Sequence, residues 1–494
     1  MLTKTTFLQA TGEELTLPSQ ATQTSAKDPL LAYDGMGLAA LVNSGEISAK
    51  ELIEASIHRI ESLDGRINAV VTRSFEQAIE RATNKTHSGP FAGVPFLIKD
   101  NTDVEGLKCT HGSRFFKPNI SSHSSSLISS YQEAGLNILG KSNMPEVGLL
   151  PATESDLLGA CHNPWGLEHS TGGSSGGAAA AVAAGYMPFA HADDGGGSIR
   201  IPASCCGVFG LKPSRNRMLS NQLDGQRSRF IVPHCVSRSV RDSAALFNLV
   251  QDRSTTGLPP LEFITSPSTR RLTIGLCTQN YYGDEPHPDV KSAIEQTAKL
   301  CEDLGHNITV LDNPINGSEF VIRYHAAYAP ELIALKKMIE SSTGKPVSES
   351  GLLERFTREF IAEAMNFSVE DIKKSEDYMQ ILPQQFNSWM KPVDLLLTPV
   401  LKLPPVELGY LHDKTIDYPT MSRRLFDYMS YTPVQNALGM PAMSVPLGMS
   451  RKGLPIGSHF IARVGDERTL FELAYELEAA KPWTNVWAPF SATS

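Results

Sequence analysis

The chain has 494 residues, a length that suits roughly two or three average domains or one large α/β domain. Its formal net charge of −9 argues against nonspecific binding of nucleic acid, which usually needs a basic surface. No run of about 18 or more apolar residues is present, so no membrane span is expected.

The N-terminus reads as a polar arm over residues 1–32, because it lacks the apolar core of a secretory signal. No convincing linker interrupts residues 33–494, which we interpret as one domain. The seven cysteines are scattered over the chain and fit reduced thiols better than a disulfide framework. We therefore expect a cytoplasmic protein.

Helix and strand patterns alternate along the chain. Ser48 and Glu51 form a capping box that opens a helix with isoleucines at helical spacing. The run GVPFLIKD predicts a buried strand that delivers Lys99 to its end. Further strands are predicted at LNILGKSN, RRLTIGLCT, VDLLLTPV and PAMSVPLGM, and further helices at SSLISSYQEAG, DVKSAIEQTAKLCEDLG and DERTLFELAYELEAA. This alternation predicts a layered α/β fold.

Two glycine-rich strings lie close together: STGGSSGG, which contains Ser174, and DDGGGSIRIP, which contains Ser198. The first is not typical of a flexible linker, because the helix-forming run AAAAVAAG follows it. Successive amide N–H groups before Ser198 can cradle an anion, which suits an oxyanion hole beside a nucleophile. A ligand-binding turn or a merely tight turn explains these residues equally well.

A serine nucleophile needs a base, and the sequence offers two types. His191 is near in sequence, but no G-x-S-x-G elbow surrounds Ser198. Lys99 suits the Ser-Lys variant of the catalytic triad. A lysine at the end of a strand is, however, more often a surface charge or an ion-pair partner, and spacing alone leaves the choice open.

The motifs taken together resemble those of the amidase signature family. The resemblance rests on GVPFLIKD, GGSSGG and DGGGSIRIP, and it extends through GKSNMPE, HNPWGL, CCGVFGLKPS and GMPAMSVPLGMSRKGLPIG in the same order. It implies a single large α/β/α layered domain around a mixed, twisted central sheet, with a Ser-cis-Ser-Lys triad. Ser198 matches the nucleophile, Ser174 the serine after a cis peptide bond, and Lys99 the base.

Further positions match the family around this triad. Three glycines, with the N–H of Ser198, match the oxyanion-hole segment: Gly195, Gly196 and Gly197. Three polar residues match supporting positions: Ser175, Asp194 and Arg200. The resemblance also brings departures, since Gly195 stands where Thr or Ile is common, Thr171 where proline is frequent, and His234-Cys235 where Gly-Pro is common. These departures bear on the acyl pocket and not on the triad.

The implied function is hydrolysis of a linear or cyclic carboxylic amide through an acyl-enzyme on Ser198, with no cofactor and no metal. The residues around Ser198 look closest to the branch that includes hydrolases of 6-aminohexanoate cyclic dimer. To act as a base, Lys99 has to be neutral. We expect burial beside two neutral hydroxyls to favour that form, with Asp100 turned to the opposite side of the strand. The expected partner is a small-molecule amide, and the oligomeric state, with a homodimer among the options, is left open.

Two alternatives remain. Residues 135–142, GLNILGKS, match the phosphate-binding loop of NTPases, although the apolar LNIL and the nearby Pro145 argue against such a turn. Amidotransferase subunits share the signature and would need protein partners. The stretch from about residue 310 to 440 is predicted to shape the pocket.

Overall fold

The computed structural model describes residues 28–84, 88–221, 228–253 and 258–494, and the strands of these residues form two mixed sheets and two short two-stranded sheets. The strands are β1 (Val70–Arg73), β2 (Pro95–Lys99), β3 (Asn137–Ser142), β4 (Glu154–Ser155), β5 (Gly159–Ala160), β6 (His162–Asn163), β7 (Gly166–Ser170), β8 (Phe189–Asp194), β9 (Phe209–Lys212), β10 (Val232–Ser237), β11 (Thr273–Leu276), β12 (Asn307–Val310), β13 (Leu395–Pro399), β14 (Ala442–Met449) and β15 (Pro455–Ile461).

Helices surround these strands. The α-helices are α1 (Gly35–Ser44), α2 (Ala49–Ile67), α3 (Phe75–Asn84), α4 (Ser126–Glu133), α5 (Gly176–Ala183), α6 (Arg200–Cys206), α7 (Val240–Val250), α8 (Pro288–Asp303), α9 (Gly317–Thr343), α10 (Val347–Ser350), α11 (Arg355–Ala364), α12 (Val369–Trp389), α13 (Tyr418–Tyr428), α14 (Pro433–Leu438) and α15 (Glu467–Ala480). Short 3₁₀ helices cover Pro29–Ala32 and Glu146–Gly148.

The main sheet has the strand order β12-β11-β13-β15-β14-β9-β10-β8, and a smaller sheet has the order β1-β3-β2. Within the main sheet β11 runs parallel to β12 and β13, and the other pairs are antiparallel. The edges β8 and β2 lie beside each other without a regular ladder, and the N–H of Lys99 donates to Nδ1 of His191 at 3.2 Å. The predicted α/β fold around a mixed sheet is confirmed, with a division of the sheet between β2 and β8.

Local sequence signals set many of these elements. The capping box of α2 is present, since Ser48 Oγ accepts from the N–H of Glu51 and the Glu51 carboxylate accepts from the N–H of Ser48.

The structure does not support the alternative of a phosphate-binding loop at residues 135–142. Residues Asn137–Ser142 form the buried strand β3, where a phosphate loop would have to turn.

Helix α5 connects the core to the first glycine-rich string. Its sequence, GGAAAAVA, is buried throughout, and the helix contacts β2, β3 and β8. Small side chains allow this close approach of helix and strands. The N-terminus of α5, where Ser174 and Ser175 lie, is thereby brought to the border between the two sheets.

Long helices occupy the stretch that the sequence analysis assigns to the pocket. Helix α9 packs against α11 and α12, and aromatic side chains from α9 and α13 join one buried cluster. Residues 1–27 of the predicted arm lie outside the described residues. Residues 28–32 contact the domain, since Asp28 pairs with Arg59 at 2.6 Å. Among the described helices, none combines the length and the apolarity that a bilayer crossing requires.

Candidate active site

Lys99 is the last residue of β2 and is completely buried. Because every residue of β2 is buried, the strand directs the amine into the interior of the protein. Lys99 Nζ donates to Ser174 Oγ at 2.7 Å and lies 2.5 Å from Asp193 Oδ1. The side chain of Lys99 is therefore held between a hydroxyl and a carboxylate.

The surroundings of Lys99 differ from the predicted ones, because Asp193 lies beside its amine. The sequence predicts only neutral hydroxyls beside the amine, but a buried carboxylate forms an ion pair with it. The other oxygen, Asp193 Oδ2, accepts from Asn101 Nδ2 at 2.6 Å. Burial on its own would raise the pKa of Asp193, but the positive charge of Lys99 outweighs it and lowers the pKa below the ordinary value. Asp193 is thus ionised at neutral pH.

The neighbours of Lys99 in sequence and space do not supply another base. Asp100 turns away from the amine, as predicted, and accepts from the hydroxyl of Thr110. His191 accepts from the backbone of Lys99, and burial lowers the pKa of His191 to about 3. His191 therefore braces β2 as a neutral ring.

Ser174 follows a cis peptide bond with Gly173, as the sequence analysis predicts. The glycines around it allow the chain to approach other backbone closely. A Cβ added at Gly177 would lie 2.3 Å from the backbone nitrogen of Asn143, so no larger residue fits there without a shift. Ser175 Oγ donates to the carbonyl of Asp193 at 3.2 Å and joins the start of α5 to β8.

Ser198 lies in the turn between β8 and α6, where it is half-buried and faces the same cavity as Ser174. Within the described residues, neither its hydroxyl nor its amide N–H forms a hydrogen bond. Both groups are therefore free to meet a substrate.

This turn is held in place through four consecutive backbone carbonyls, each of which accepts a hydrogen bond from another part of the chain. Their donors are Asn436 Nδ2 to Asp194 at 2.8 Å, the hydroxyls of Tyr324 and Tyr328 to Gly195 at 2.8 and 3.0 Å, Thr432 Oγ1 to Gly196 at 2.8 Å, and the N–H of Ile201 to Gly197 at 2.7 Å. In a trans peptide the C=O and the following N–H point in opposite directions. Each contact to a carbonyl therefore also orients the next amide.

Gly197 departs from the predicted oxyanion segment. Its N–H donates to Asp194 Oδ1 at 2.7 Å, so this amide is already occupied. Its φ of +133° and a Cβ position 2.3 Å from Thr432 Oγ1 explain why glycine stands here. Of the predicted donors, the amides of Gly195, Gly196 and Ser198 form no hydrogen bond within the described residues. Gly197 is therefore a turn residue and not a free donor.

Asp194 and Arg200 form a buried ion pair behind the turn. The guanidinium donates from Nε to Asp194 Oδ2 and from Nη2 to Asp194 Oδ1, both at 2.9 Å. Gln435 and Asn436 accept further hydrogen bonds from Arg200. Burial opposes the ionisation of Asp194, but the Arg200 charge holds the pKa of that carboxyl well below its usual range. This fixed anion braces the turn that carries Ser198.

The cavity in front of these residues has a volume of about 430 Å³. Ser174, Asp193 and Ser198 line one side of it, and Glu331 lies exposed at its rim. Most of the remaining wall is apolar or aromatic: Phe116, Leu150, Ile231, Tyr324, Tyr328, Leu332, Phe360, Phe426 and Met429. No lysine or arginine of the described residues lines it.

The prediction that residues 310–440 shape the pocket is confirmed, because α9 and α13 supply much of this wall. Thr171 and His234 are buried outside the cavity lining, so these two departures from the family pattern do not form its wall.

No group of three or more histidine, cysteine or carboxylate side chains in the described ranges could hold a metal ion.

Four residues of the site were not predicted from the sequence: Asn101, Asp193, Tyr324 and Tyr328. The doubled aspartate in HADDGGG carries a usable signal, because alternate residues of a strand face opposite sides. Asp193 therefore faces β2 with His191, whereas Asp194 faces Arg200. No sequence signal links Tyr324 and Tyr328 to the turn before Ser198.

Known proteins resemble this chain over most of its length. The family model "Amidase" matches residues 51–471. The 6-aminohexanoate-cyclic-dimer hydrolase of Pseudomonas sp. (strain NK87) is 34% identical over 481 residues, which cover 92% of this chain and 96% of that protein.

Two solved structures have the same fold. A 6-aminohexanoate cyclic dimer hydrolase complexed with substrate superposes with a TM-score of 0.85 at 31% identity, covering 93% of this chain and 99% of its own. A bacterial aryl acylamidase of the amidase signature enzymes superposes with a TM-score of 0.83 at 26% identity, covering 92% of this chain and 98% of its own.

Proposed function

Since the chain belongs to the amidase family and is a hydrolase of carbon–nitrogen bonds other than peptide bonds, we propose that it cleaves a small carboxylic amide with Ser198 as the nucleophile. Ser174 is then the proton relay and Lys99 the base. The observation that carries this proposal is the 2.7 Å contact from Lys99 Nζ to Ser174 Oγ, beside a cavity lined by Ser198, whose hydroxyl and N–H form no hydrogen bond within the described residues.

In the first half-reaction the proton of Ser198 moves to Ser174 while the proton of Ser174 moves to neutral Lys99. Ser198 Oγ attacks the amide carbonyl carbon, and the developing oxyanion accepts hydrogen bonds from the free amides of the turn. The proton then returns through Ser174 to the leaving amine as the C–N bond breaks. An ester on Ser198 remains.

In the second half-reaction a water molecule replaces the amine. It gives its proton to the same relay, attacks the ester carbonyl, and releases the carboxylic acid as Ser198 recovers its proton. No step needs a group that the chain does not supply, apart from water.

The charges around the cavity favour uncharged amides with apolar or aromatic flanks. The carboxylates that line it are Asp193, which is paired with Lys99, and Glu331 at the rim. A free carboxylate on the substrate would meet these groups without a lysine or arginine partner in the described lining. Linear and cyclic amides both remain candidates, since the named relatives act on a cyclic dimer and on aryl acylamides.

The test of the nucleophile is covalent labelling. A fluorophosphonate should attach to Ser198, because a hydroxyl activated by a base attacks phosphorus and an ordinary serine does not. Mass spectrometry of the digested protein locates the label. Ser198→Ala should abolish labelling, and Ser122→Ala, at an exposed serine outside the cavity, should leave it intact. Labelling of Ser174 or Ser175 in its place would refute the assignment.

The test of the substrate class uses the purified chain alone. A panel should contain 6-aminohexanoate cyclic dimer, simple anilides, and matched anilides that carry a carboxylate on the acyl part. We expect turnover of uncharged members without any added protein, and slower turnover of the charged ones. Hydrolysis that starts only when a partner protein and glutamine are added would favour an amidotransferase subunit instead.

A further inference from the structure

We infer that Asp193 is a positioning residue for the base: it holds Lys99 Nζ against Ser174 Oγ, and its negative charge shapes the pH dependence of the reaction. This inference rests on the proposed function, because it takes Lys99 as the base. It adds a fourth residue to the three that the family resemblance implies.

The geometry makes Asp193 a clamp on the amine. One carboxylate oxygen lies 2.5 Å from Lys99 Nζ, and the other accepts from Asn101 at 2.6 Å. The backbone of Asp193 is fixed as well, since its N–H donates to Ser175 Oγ and its carbonyl accepts from the same hydroxyl. Because its carboxylate and its backbone are both held, Asp193 is not free to turn away from Lys99.

The chemistry of the pair opposes the reaction at low pH. A carboxylate in contact with a buried ammonium stabilises the charged form of lysine. An ammonium has no lone pair, so it cannot accept the proton of Ser174. Lys99 has first to lose a proton, and contact with the Asp193 carboxylate opposes that loss. Activity should accordingly rise along a limb in the alkaline range.

Other titratable groups near the pair do not replace Asp193. They are His111, His191, Tyr131, Asp100 and Lys141. Burial lowers the pKa of His111 to about 4 and of His191 to about 3, and it raises the pKa of Tyr131, so all three are neutral at pH 7. The charges of Asp100 and Lys141 offset each other at 3.8 Å. Asp193 is the carboxylate that touches the amine.

The experiment compares the pH dependence of kcat and kcat/KM in the wild-type protein and in Asp193→Asn. The amide has the shape of the carboxylate but no charge, so the alkaline limb should move to lower pH by about one to three units. The plateau value of kcat should fall because the amine is held less firmly, and KM should change less than kcat because Asp193 is one of many residues that line the cavity.

Two further variants keep the result interpretable. Asp193→Ser also removes the charge, and its smaller side chain cannot overpack the site. The alkaline limb of this variant should move in the same direction, so it replaces Asp193→Asn as the test if that variant folds poorly. Glu105→Gln removes an exposed carboxylate that lies outside the cavity lining, and the limb of this control should stay at the wild-type position. The rate of fluorophosphonate labelling against pH gives a second readout that depends on the first half-reaction only.

The inference is overturned if the alkaline limb of the pH profile stays at its wild-type position in both Asp193→Asn and Asp193→Ser while fluorophosphonate labelling is intact. Loss of labelling at every pH in folded variants would also overturn it, because Asp193 would then be a proton acceptor in its own right. Failure of the proposed function is distinguishable from both. It would show as wild-type turnover and an unchanged pH profile in Lys99→Ala.

Discussion

Removal of two hydroxyls that do not belong to the triad should slow the reaction. Tyr324 and Tyr328 both donate to the carbonyl of Gly195, at 2.8 and 3.0 Å, and the N–H of Gly196 lies on the opposite side of the same peptide plane. The double variant Tyr324→Phe, Tyr328→Phe keeps both rings and deletes both hydrogen bonds. The peptide can then rotate, and the N–H of Gly196 loses its fixed direction.

The magnitude follows from the two contacts. A buried neutral hydrogen bond contributes about 1 kcal/mol, and about 1.4 kcal/mol corresponds to a tenfold change in rate. Each single variant should therefore lose about fivefold in kcat, and the double variant about 30-fold. Complete loss of an oxyanion donor costs about 10²–10³ in kcat, which is an upper limit here because the amide of Gly196 is loosened and not deleted.

The assay is steady-state hydrolysis of an uncharged anilide, with kcat and KM determined separately. Tyr281→Phe is the matched control, because its hydroxyl donates to the carbonyl of Phe426 in the same aromatic cluster and does not touch the turn. We expect kcat of this control within about twofold of wild type. Wild-type kcat in the double variant, or a change confined to KM, would refute the role of the tyrosines in orienting the amide.

Two predictions concern stability. Arg200→Met leaves the carboxylate of Asp194 buried without its partner, so the free energy of unfolding in urea should fall by about 3–5 kcal/mol, and a loss below about 1 kcal/mol would contradict the bracing role. Burial raises the pKa of Glu354 to about 8, so the folded state retains a proton that the unfolded chain releases near pH 4.5. The free energy of unfolding should therefore decrease between about pH 5 and 8, and Glu354→Gln should flatten this decrease, whereas equal slopes in both proteins would show that Glu354 is not its source.

Much of the fold was predictable because the signals are local. The capping box at Ser48 and Glu51 depends on residues three apart, and the buried strand that ends at Lys99 is visible as an apolar run closed by charge. The long helices α9 and α12 were not predicted. Each carries an internal proline, Pro330 and Pro383, that a sequence pattern treats as a break.

The positions of the candidate site residues could be predicted from the sequence, but the contacts around them could not. Ser174, Ser198 and Lys99 stand in motifs that can be recognised along the chain, whereas their contacts come from other elements. Tyr324 lies 129 residues from the carbonyl that it binds, and Asn436 lies 242 residues from Asp194. Such contacts depend on how helices pack over a sheet, and no periodicity in the sequence records them.

The oxyanion segment shows why three identical residues need not have one role. Gly195, Gly196 and Gly197 are equivalent in sequence, but the direction of each amide is set by the donor that holds the carbonyl before it. The carbonyl of Gly196 is held by Thr432, and the following N–H turns to Asp194. The carbonyls of Asp194 and Gly195 are held by donors on α14 and α9, and their following amides remain unpaired within the described chain. The function of a backbone amide is thus decided by side chains far away in sequence, and a Gly-Gly-Gly motif can indicate a site without identifying its donors.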